Sequence, residues 1–223
     1  MAAMKLYGHA LSTCTQRALA CFYEKELDVE FAPVDLSTGE QKKEPVISIN
    51  PFGKVPCFEH GDIKMFGKIS VLLAESRAIT GYIAKEYPDK GAQLVYTSGK
   101  DLQTYLIWLE IEAHHFVSCS QPLVWELFYK PLLGLPQDPA AIEELEAKVD
   151  KVLDVYEKRL AESKYLAGDS FTLVDLHHLP NISALMRTPG KKLLDARPHV
   201  SKWAADITSR PAWAKVLALQ DKK

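Results

Sequence analysis

Two serines stand where a hydroxyl could meet an anion. Ser12 follows the short strand candidate Lys5-Leu6-Tyr7 and a turn, and sits at the entry to a helix. Backbone N–H groups at such an entry, together with the positive end of the helix dipole, favour negative charge. Ser12 therefore reads either as a plain N-cap or as a donor to a bound anion. Glu75-Ser76 opens a second helix and offers the same choice between an acidic first turn and an anion site with an added hydroxyl. Between them lies Val55-Pro56, the one kind of peptide bond that takes the cis form at low cost, the alternative being a trans proline on an edge strand. No Ser-His-Asp pattern is suggested, so the serines are donors rather than nucleophiles. The four cysteines, Cys14, Cys21, Cys57 and Cys119, include no C-x-x-C pair. His114-His115 and His177-His178 point about 100° apart on a helix and do not readily share one ion, so no metal is assigned. One histidine of each pair is expected to pack and the other to face solvent.

The elements that must hold these residues are legible in outline. Leu27, Val29 and Phe31 alternate with Asp28, Glu30 and Ala32, a strand pattern after the Ser12 helix. Strand, helix and strand within about 30 residues imply a parallel crossover. Val55-Pro56-Cys57-Phe58 and Ile63-Lys64-Met65-Phe66 flank Glu59-His60-Gly61-Asp62, a hairpin signal. Ile79, Tyr82, Ile83 and Tyr87 mark a helix that Pro88-Asp89-Lys90-Gly91 breaks. Beyond this break the patterns are helical. Leu102, Leu106, Leu109, Ala113 and Phe116 define one stripe, and Ile142 to Leu160 another, after an Asp138-Pro139 start. Thr172 and Asp175 form a capping box, flanked by Phe171 and Leu176 as a hydrophobic staple.

Composition narrows the function classes. The 223 residues are 47% hydrophobic and 25% charged, with net charge −2, which gives no reason to expect nucleic acid or an anionic membrane as partner. No apolar run reaches the roughly 18 residues of a membrane span, and the first residues lack a signal-peptide core, so a cytoplasmic protein is expected.

Five segments in order resemble the plant phi class of the glutathione transferase family. They are Ser12-Thr13-Cys14-Thr15-Gln16-Arg17, Gly39-Glu40-Gln41-Lys42-Lys43-Glu44-Pro45, Asn50-Pro51-Phe52-Gly53-Lys54-Val55-Pro56, Glu75-Ser76-Arg77-Ala78-Ile79 and Asp175-Leu176-His177-His178-Leu179-Pro180. The resemblance spans essentially the whole chain. It implies an α/β plus all-α architecture, with a thioredoxin-like N-terminal domain at 1–91 and an all-helical domain at 92–223. It implies glutathione as co-substrate, no metal, a small hydrophobic electrophile, and a homodimer. In this reading Ser12 donates to the glutathione sulfur as the catalytic residue, and Arg17 supports the site. Gln41, Lys42 and Lys54 serve the glycyl end, the latter two as cations. The Val55 backbone, turned outward by a cis Pro56, pairs with the cysteinyl amide. Glu75 and Ser76 hold the γ-glutamyl end. Cysteine-type members carry cysteine at the Ser12 position, which sets Cys14 aside. Leu11, Phe116, Leu123 and Phe128 are candidates for the electrophile pocket and equally for core. Residues 67–74 have no counterpart in the phi pattern. They bulge as a loop, replace the last strand, or start the helix early near Ser70. The last outcome would bind the Ser76 N–H into the helix. Impairment of the glutathione site by this insertion would leave a carrier of planar, flavonoid-like ligands as the alternative function.

Overall fold

The computed structural model describes residues 3–61 and 75–220. The strand candidate at 63–66 and the segment 67–74 lie outside the described residues. The chain divides into two compact units, Met1–Gln93 with Pro211–Lys223, and Leu94–Arg210.

The first unit begins with β1 (Met4–Gly8), α1 (Thr13–Glu24) and β2 (Glu30–Pro33). A short 3-10 turn (Glu40–Lys42), α2 (Val46–Ile49), β3 (Cys57–His60) and α3 (Ser76–Glu86) follow. Among the described residues the strands lie in the order β2-β1-β3. β1 runs parallel to β2, with Leu6 opposite Phe31, and antiparallel to β3, with Leu6 opposite Phe58. This is the crossover expected from the alternating pattern. Strand pairing begins later than that pattern, at Glu30 rather than Leu27. Glu26 adopts a left-handed conformation, and the Leu27 N–H still closes α1 by bonding to Phe22 O at 3.0 Å. Leu6, Leu19, Phe22 and Phe58 are buried at the centre of the unit, and the rings of Phe22 and Phe58 lie 5.2 Å apart. Each such side chain contributes about 1.5–3 kcal/mol by leaving water.

The second unit is helical throughout. α4 (Gly99–Ile111), α5 (Val117–Val124) and α6 (Lys130–Leu132) run on through π-helical turns at Glu112–Phe116 and Trp125–Tyr129. Then come α7 (Pro139–Glu162), α8 (Leu173–Met186), α9 (Lys191–Asp195) and α10 (Pro198–Thr208). Asp138 caps α7, accepting from Ala140 N at 3.0 Å and Ala141 N at 3.2 Å, with Pro139 in its first turn. Val149, Leu153, Tyr156 and Leu160 form its buried stripe. The α4 stripe is corrected. Its buried side chains are Tyr105 and Trp108, while Leu106 is 45% exposed. The larger aromatic rings remove more apolar area and take the core face.

α8 is buried along its whole length from Leu173 to Leu185, as befits a helix at the centre of a bundle. Its capping box is present, with Thr172 N donating to Asp175 at 3.1 Å. Asp175 also accepts from Leu166 N at 3.2 Å and Trp203 Nε1 at 3.0 Å, so this one carboxylate ties three segments of the unit together. The expectation for the histidine pairs fails in both cases. His177 and His178 are both buried, because α8 has no solvent face. His114 and His115 are both exposed, because the π-turn adds a residue to that stretch and turns Glu112 and Phe116 inward instead.

The last helix, α11 (Pro211–Ala218), belongs to the first unit and packs on α1. Trp213 is fully buried there, and Lys215 Nζ lies 5.8 Å from the Tyr23 ring. The expected division at 91/92 therefore differs from the observed one at 93/94, and 211–223 joins the first unit rather than the helical one. An apolar face of α11, carrying Trp213 and Val216, finds its cover on α1.

Candidate functional site

Ser12 is held by the loop that leaves β1. Gly8 lies so close to the first turn of α1 that a Cβ there would stand 2.4 Å from Thr15 Cγ2, so only glycine permits this approach. The Leu11 N–H donates to His9 Nδ1 at 3.2 Å, and the Ser12 N–H to His9 O at 2.8 Å. Gln16, itself buried, donates from Nε2 to Ala10 O at 2.8 Å and fixes the outer edge of the loop. Ser12 is the N-cap of α1, with extended backbone and a half-buried side chain. Its Oγ accepts from Thr15 N at 3.4 Å, a long contact that leaves the hydroxyl hydrogen uncommitted to the cap.

Ser76 is the first residue of α3, and Glu75 precedes it in extended conformation as the N-cap. The helix therefore does not run through Glu75. The Ser76 and Arg77 N–H groups belong to the first turn, which has no intrahelical acceptors for them. Arg17 reaches across from α1, and its Nη1 donates to Ser76 Oγ at 2.9 Å. Both residues are buried, at 1% and 4% exposure. The same nitrogen lies 3.8 Å from Cys14 Sγ. Farther along α3, Tyr82 and Tyr87 place their hydroxyls 2.9 and 3.1 Å from the two ring nitrogens of His60, which pins α3 to the end of β3.

The third part of the site is the platform from 39 to 57. Gly39, in left-handed conformation, leads into the turn that carries Gln41 and Lys42. Gly53, also left-handed at φ 60, lies against that turn, and a Cβ there would stand 3.2 Å from both Gln41 O and Lys42 Cγ. Asn50 organises the loop between, donating from Nδ2 to Lys54 O at 2.9 Å and accepting from Phe52 N at 3.1 Å. The Glu44–Pro45 and Val55–Pro56 bonds are both cis. Cys57 then enters β3 fully buried, with Sγ donating to Lys54 O at 3.2 Å, and burial pushes its thiol up to about 12. Burial raises the Cys21 thiol as well. Gln41 Oε1 is shielded from solvent and has no partner among the described residues.

The structure thus brings Gln41 and Lys42 against the Gly53–Lys54 loop, and joins Ser76 to the helix that Ser12 caps. Lys42, Lys54 and Glu75 are exposed, while Gln41 and Val55 are half-buried. Asn50 and the Arg17–Ser76 bond were not foreseen as site features. An asparagine two residues before Phe52 at the head of a Pro-Gly loop is the signal for the first. The second joins residues 59 positions apart and has no local signal. In the helical unit, Phe116 and Leu123 are fully buried core, whereas Leu11 in the first unit and Phe128 are half-buried. Phe116 stacks on Tyr156 at 5.9 Å, and the Tyr156 hydroxyl meets His178 Nε2 at 2.9 Å. No cluster of three metal-ligating side chains occurs among the described residues.

Comparison with known proteins agrees with this layout. Residues 2–85 match the family model described as glutathione S-transferase, N-terminal domain, and residues 106–211 match the one described as glutathione S-transferase, C-terminal domain. Glutathione S-transferase F7 of Arabidopsis thaliana is 56% identical over 97% of this chain and 100% of that protein. The crystal structure of glutathione transferase F7 from Populus trichocarpa superposes with a TM-score of 0.89 at 43% identity, covering 97% of this chain and 98% of that one. Glutathione S-transferase I from mais, solved in complex with an atrazine glutathione conjugate, gives a TM-score of 0.87 at 35% identity over 100% of both chains.

Proposed function

The chain belongs to the glutathione S-transferase family and, within it, to the plant phi class, with the thioredoxin-like and helical halves of that fold; on that premise we propose that it conjugates glutathione to small hydrophobic electrophiles, with Ser12 as the thiolate-stabilising residue. The observation that carries this reading is the Ser12 hydroxyl, half-exposed at the N-terminus of α1 and only weakly used by its own cap. A sulfur seated there accepts from Ser12 Oγ and feels the positive end of a 12-residue helix, and both favour thiolate over thiol. The γ-glutamyl carboxylate is met by the first turn of α3 and the Ser76 hydroxyl, and Glu75 takes the ammonium. The Val55 backbone pairs with the cysteinyl amide. The exposed cations Lys42 and Lys54, with Gln41, take the glycyl end, where the shielded Gln41 amide oxygen suits an amide N–H donor.

Once the thiolate is formed, the residues described here have no further bond to make. Attack on an electrophilic carbon completes a conjugation, and attack on the peroxide oxygen of an organic hydroperoxide begins its reduction. Family membership also supports assembly as a homodimer and a cytoplasmic setting. The carrier alternative rested on displacement of Ser76 by residues 67–74. The start of α3 at Ser76, with Glu75 extended before it, supports conjugation as the first reading.

The test is turnover by purified protein with glutathione and one substrate from each of three classes: an activated aryl halide, a Michaelis acceptor and an organic hydroperoxide. Glutathione-dependent turnover of at least one is expected. Silence in all three, with intact binding of a planar ligand, would overturn the reading in favour of the carrier. Light scattering on the same sample checks the homodimer.

A further inference from the structure

The turn that delivers Ser12 to α1 is closed twice by one residue, and that residue has no part in the reading above. We propose that His9 is a positioning residue for thiolate formation: its neutral imidazole, by accepting the Leu11 N–H, holds the turn that sets the Ser12 hydroxyl at the mouth of α1. This role rests on the function proposed above.

His9 offers acceptors to two successive N–H groups. Its carbonyl accepts from Ser12 N at 2.8 Å, which closes residues 9–12 as a turn, and its ring Nδ1 accepts from Leu11 N at 3.2 Å. The ring bond has the form of an Asx turn, in which a side chain takes the backbone N–H two residues on. Histidine stands in for asparagine there because Nδ1 is as many bonds from Cα as the asparagine Oδ1. Nδ1 accepts only when it carries no hydrogen, so the bond requires the neutral ring with its hydrogen on Nε2.

The rest of the loop is anchored elsewhere. Gly8 O accepts from Val34 N at 2.9 Å beyond β2, and Ala10 O accepts from Gln16 Nε2 at 2.8 Å on α1. The step from Ala10 to Ser12 is what His9 sets. That step matters because the cap does little to hold the hydroxyl: Ser12 Oγ reaches Thr15 N only at 3.4 Å. The direction of the Ser12 side chain therefore follows from its backbone, which is extended at φ −70 and ψ 122, and the two His9 bonds hold that backbone. The half-buried ring keeps its bond partly sheltered from competing water. Removing the ring leaves the carbonyl bond in place, so the turn loosens without coming apart and the effect on catalysis is graded.

The test uses the full-length protein with glutathione. Ultraviolet absorbance of the bound thiolate is followed across pH, beside kinetics with an activated aryl halide and a thermal melt. The variants are His9→Ala, His9→Asn, His9→Gln, Ser12→Ala and His9→Ala/Ser12→Ala. His9→Ala should lower kcat/KM at neutral pH roughly three- to tenfold, the worth of one neutral hydrogen bond, and raise the pKa of the bound thiol by about half a unit to one unit. KM for glutathione should change little, because the γ-glutamyl and glycyl ends are held by other segments. His9→Asn, which returns an acceptor to the same place, should recover most of both losses. His9→Gln, whose acceptor lies one bond farther out, should match His9→Ala. In the Ser12→Ala background His9→Ala should add no shift in thiol ionisation, since the ring acts through that hydroxyl. Nitrogen-15 spectra of histidine-labelled protein should show hydrogen on Nε2 and none on Nδ1 for the ring whose signals vanish in His9→Asn.

A role confined to fold support predicts a different pattern: losses that track the melting temperature, KM rising as kcat falls, and a further shift of thiol ionisation in the double variant. Any of these overturns the proposal, as does a hydrogen on Nδ1. Should His9→Ala fail to fold, His9→Asn against His9→Gln decides the same question, and equal values for the two refute it. Wild-type protein without thiolate, or Ser12→Ala ionising at the wild-type pH, sinks the proposed role of Ser12 and this one together. A shifted Ser12→Ala beside an unshifted His9→Ala sinks this role alone.

Discussion

Ser12→Ala separates two contributions of one hydroxyl. As an N-cap, Ser12 accepts from Thr15 N at 3.4 Å, near the limit of a useful hydrogen bond, so its loss should cost no more than about 1 kcal/mol. For a chain of this size that is a melting shift of about 2–4 °C. As a donor to a thiolate, the same hydroxyl makes a charge-assisted bond of about 1.5–3 kcal/mol, which is roughly 10- to 150-fold in the rate constant governed by it. The same energy, read as an ionisation, raises the thiol pKa of bound glutathione by about 1–2 units. The neighbouring Thr13 is a poor substitute, because its side chain is turned into the protein at 7% exposure. The assay is kcat/KM for aryl halide conjugation across pH, with thiolate formation followed by its ultraviolet absorbance in the enzyme–glutathione complex, and a thermal melt beside each. The expected result is a large loss of activity at neutral pH, partly recovered at alkaline pH, with a small change in melting. A variant that retains activity within threefold, or whose bound thiol ionises at the wild-type pH, would show that Ser12 is a cap and no more.

Three further outcomes are expected. Asn50→Ala removes the donor to Lys54 O and the acceptor for Phe52 N, so the loop under Lys54 and Val55 loosens; KM for glutathione should rise several-fold, and stability should fall by about 1–3 kcal/mol in a urea melt, since Asn50 is buried. Glu157 accepts from His199 N, Val200 N and the His199 ring at the start of α10, and although burial works against ionisation these donors hold its carboxyl below the usual range. Because the folded value is depressed, its contribution is present above the ordinary carboxylate range and disappears as pH falls below about 4; Glu157→Gln should therefore destabilise the protein at pH 7 and by progressively less in acid melts. Native labelling with iodoacetamide at pH 8 should modify Cys14 first, since it is half-exposed, and spare Cys57, whose thiol is pushed up to about 12 by burial; mass spectrometry of the peptides reads the order.

The parts of the fold that follow local rules were legible in the sequence. The Asp138-Pro139 start, the Thr172–Asp175 box and the crossover around α1 rest on residues within a few positions of one another, and each is present. The misread features depend on partners far along the chain. Which face of α4 turns inward was decided by competition between Leu106 and the aromatic Tyr105 and Trp108, and only the packed helix reveals the winner. The paired histidines were judged by α-helical spacing, which a π-turn at Glu112–Phe116 invalidates and a wholly buried α8 makes irrelevant. Of the site, residue types at helix starts and before Pro56 could be read directly. The buried link from Arg17 to Ser76 could not, because it spans two helices and leaves no periodic trace.

The placement of α11 has a consequence for synthesis. Residues 94–210 are all made before Pro211–Ala218, yet α1, made earlier still, waits for that later segment to cover it. The first-made half is thus the last to be finished. A stop codon or a bulky fusion near residue 210 would strike at the opposite end of the chain, loosening the helix that begins at Ser12 while sparing the bundle next to the lesion in sequence.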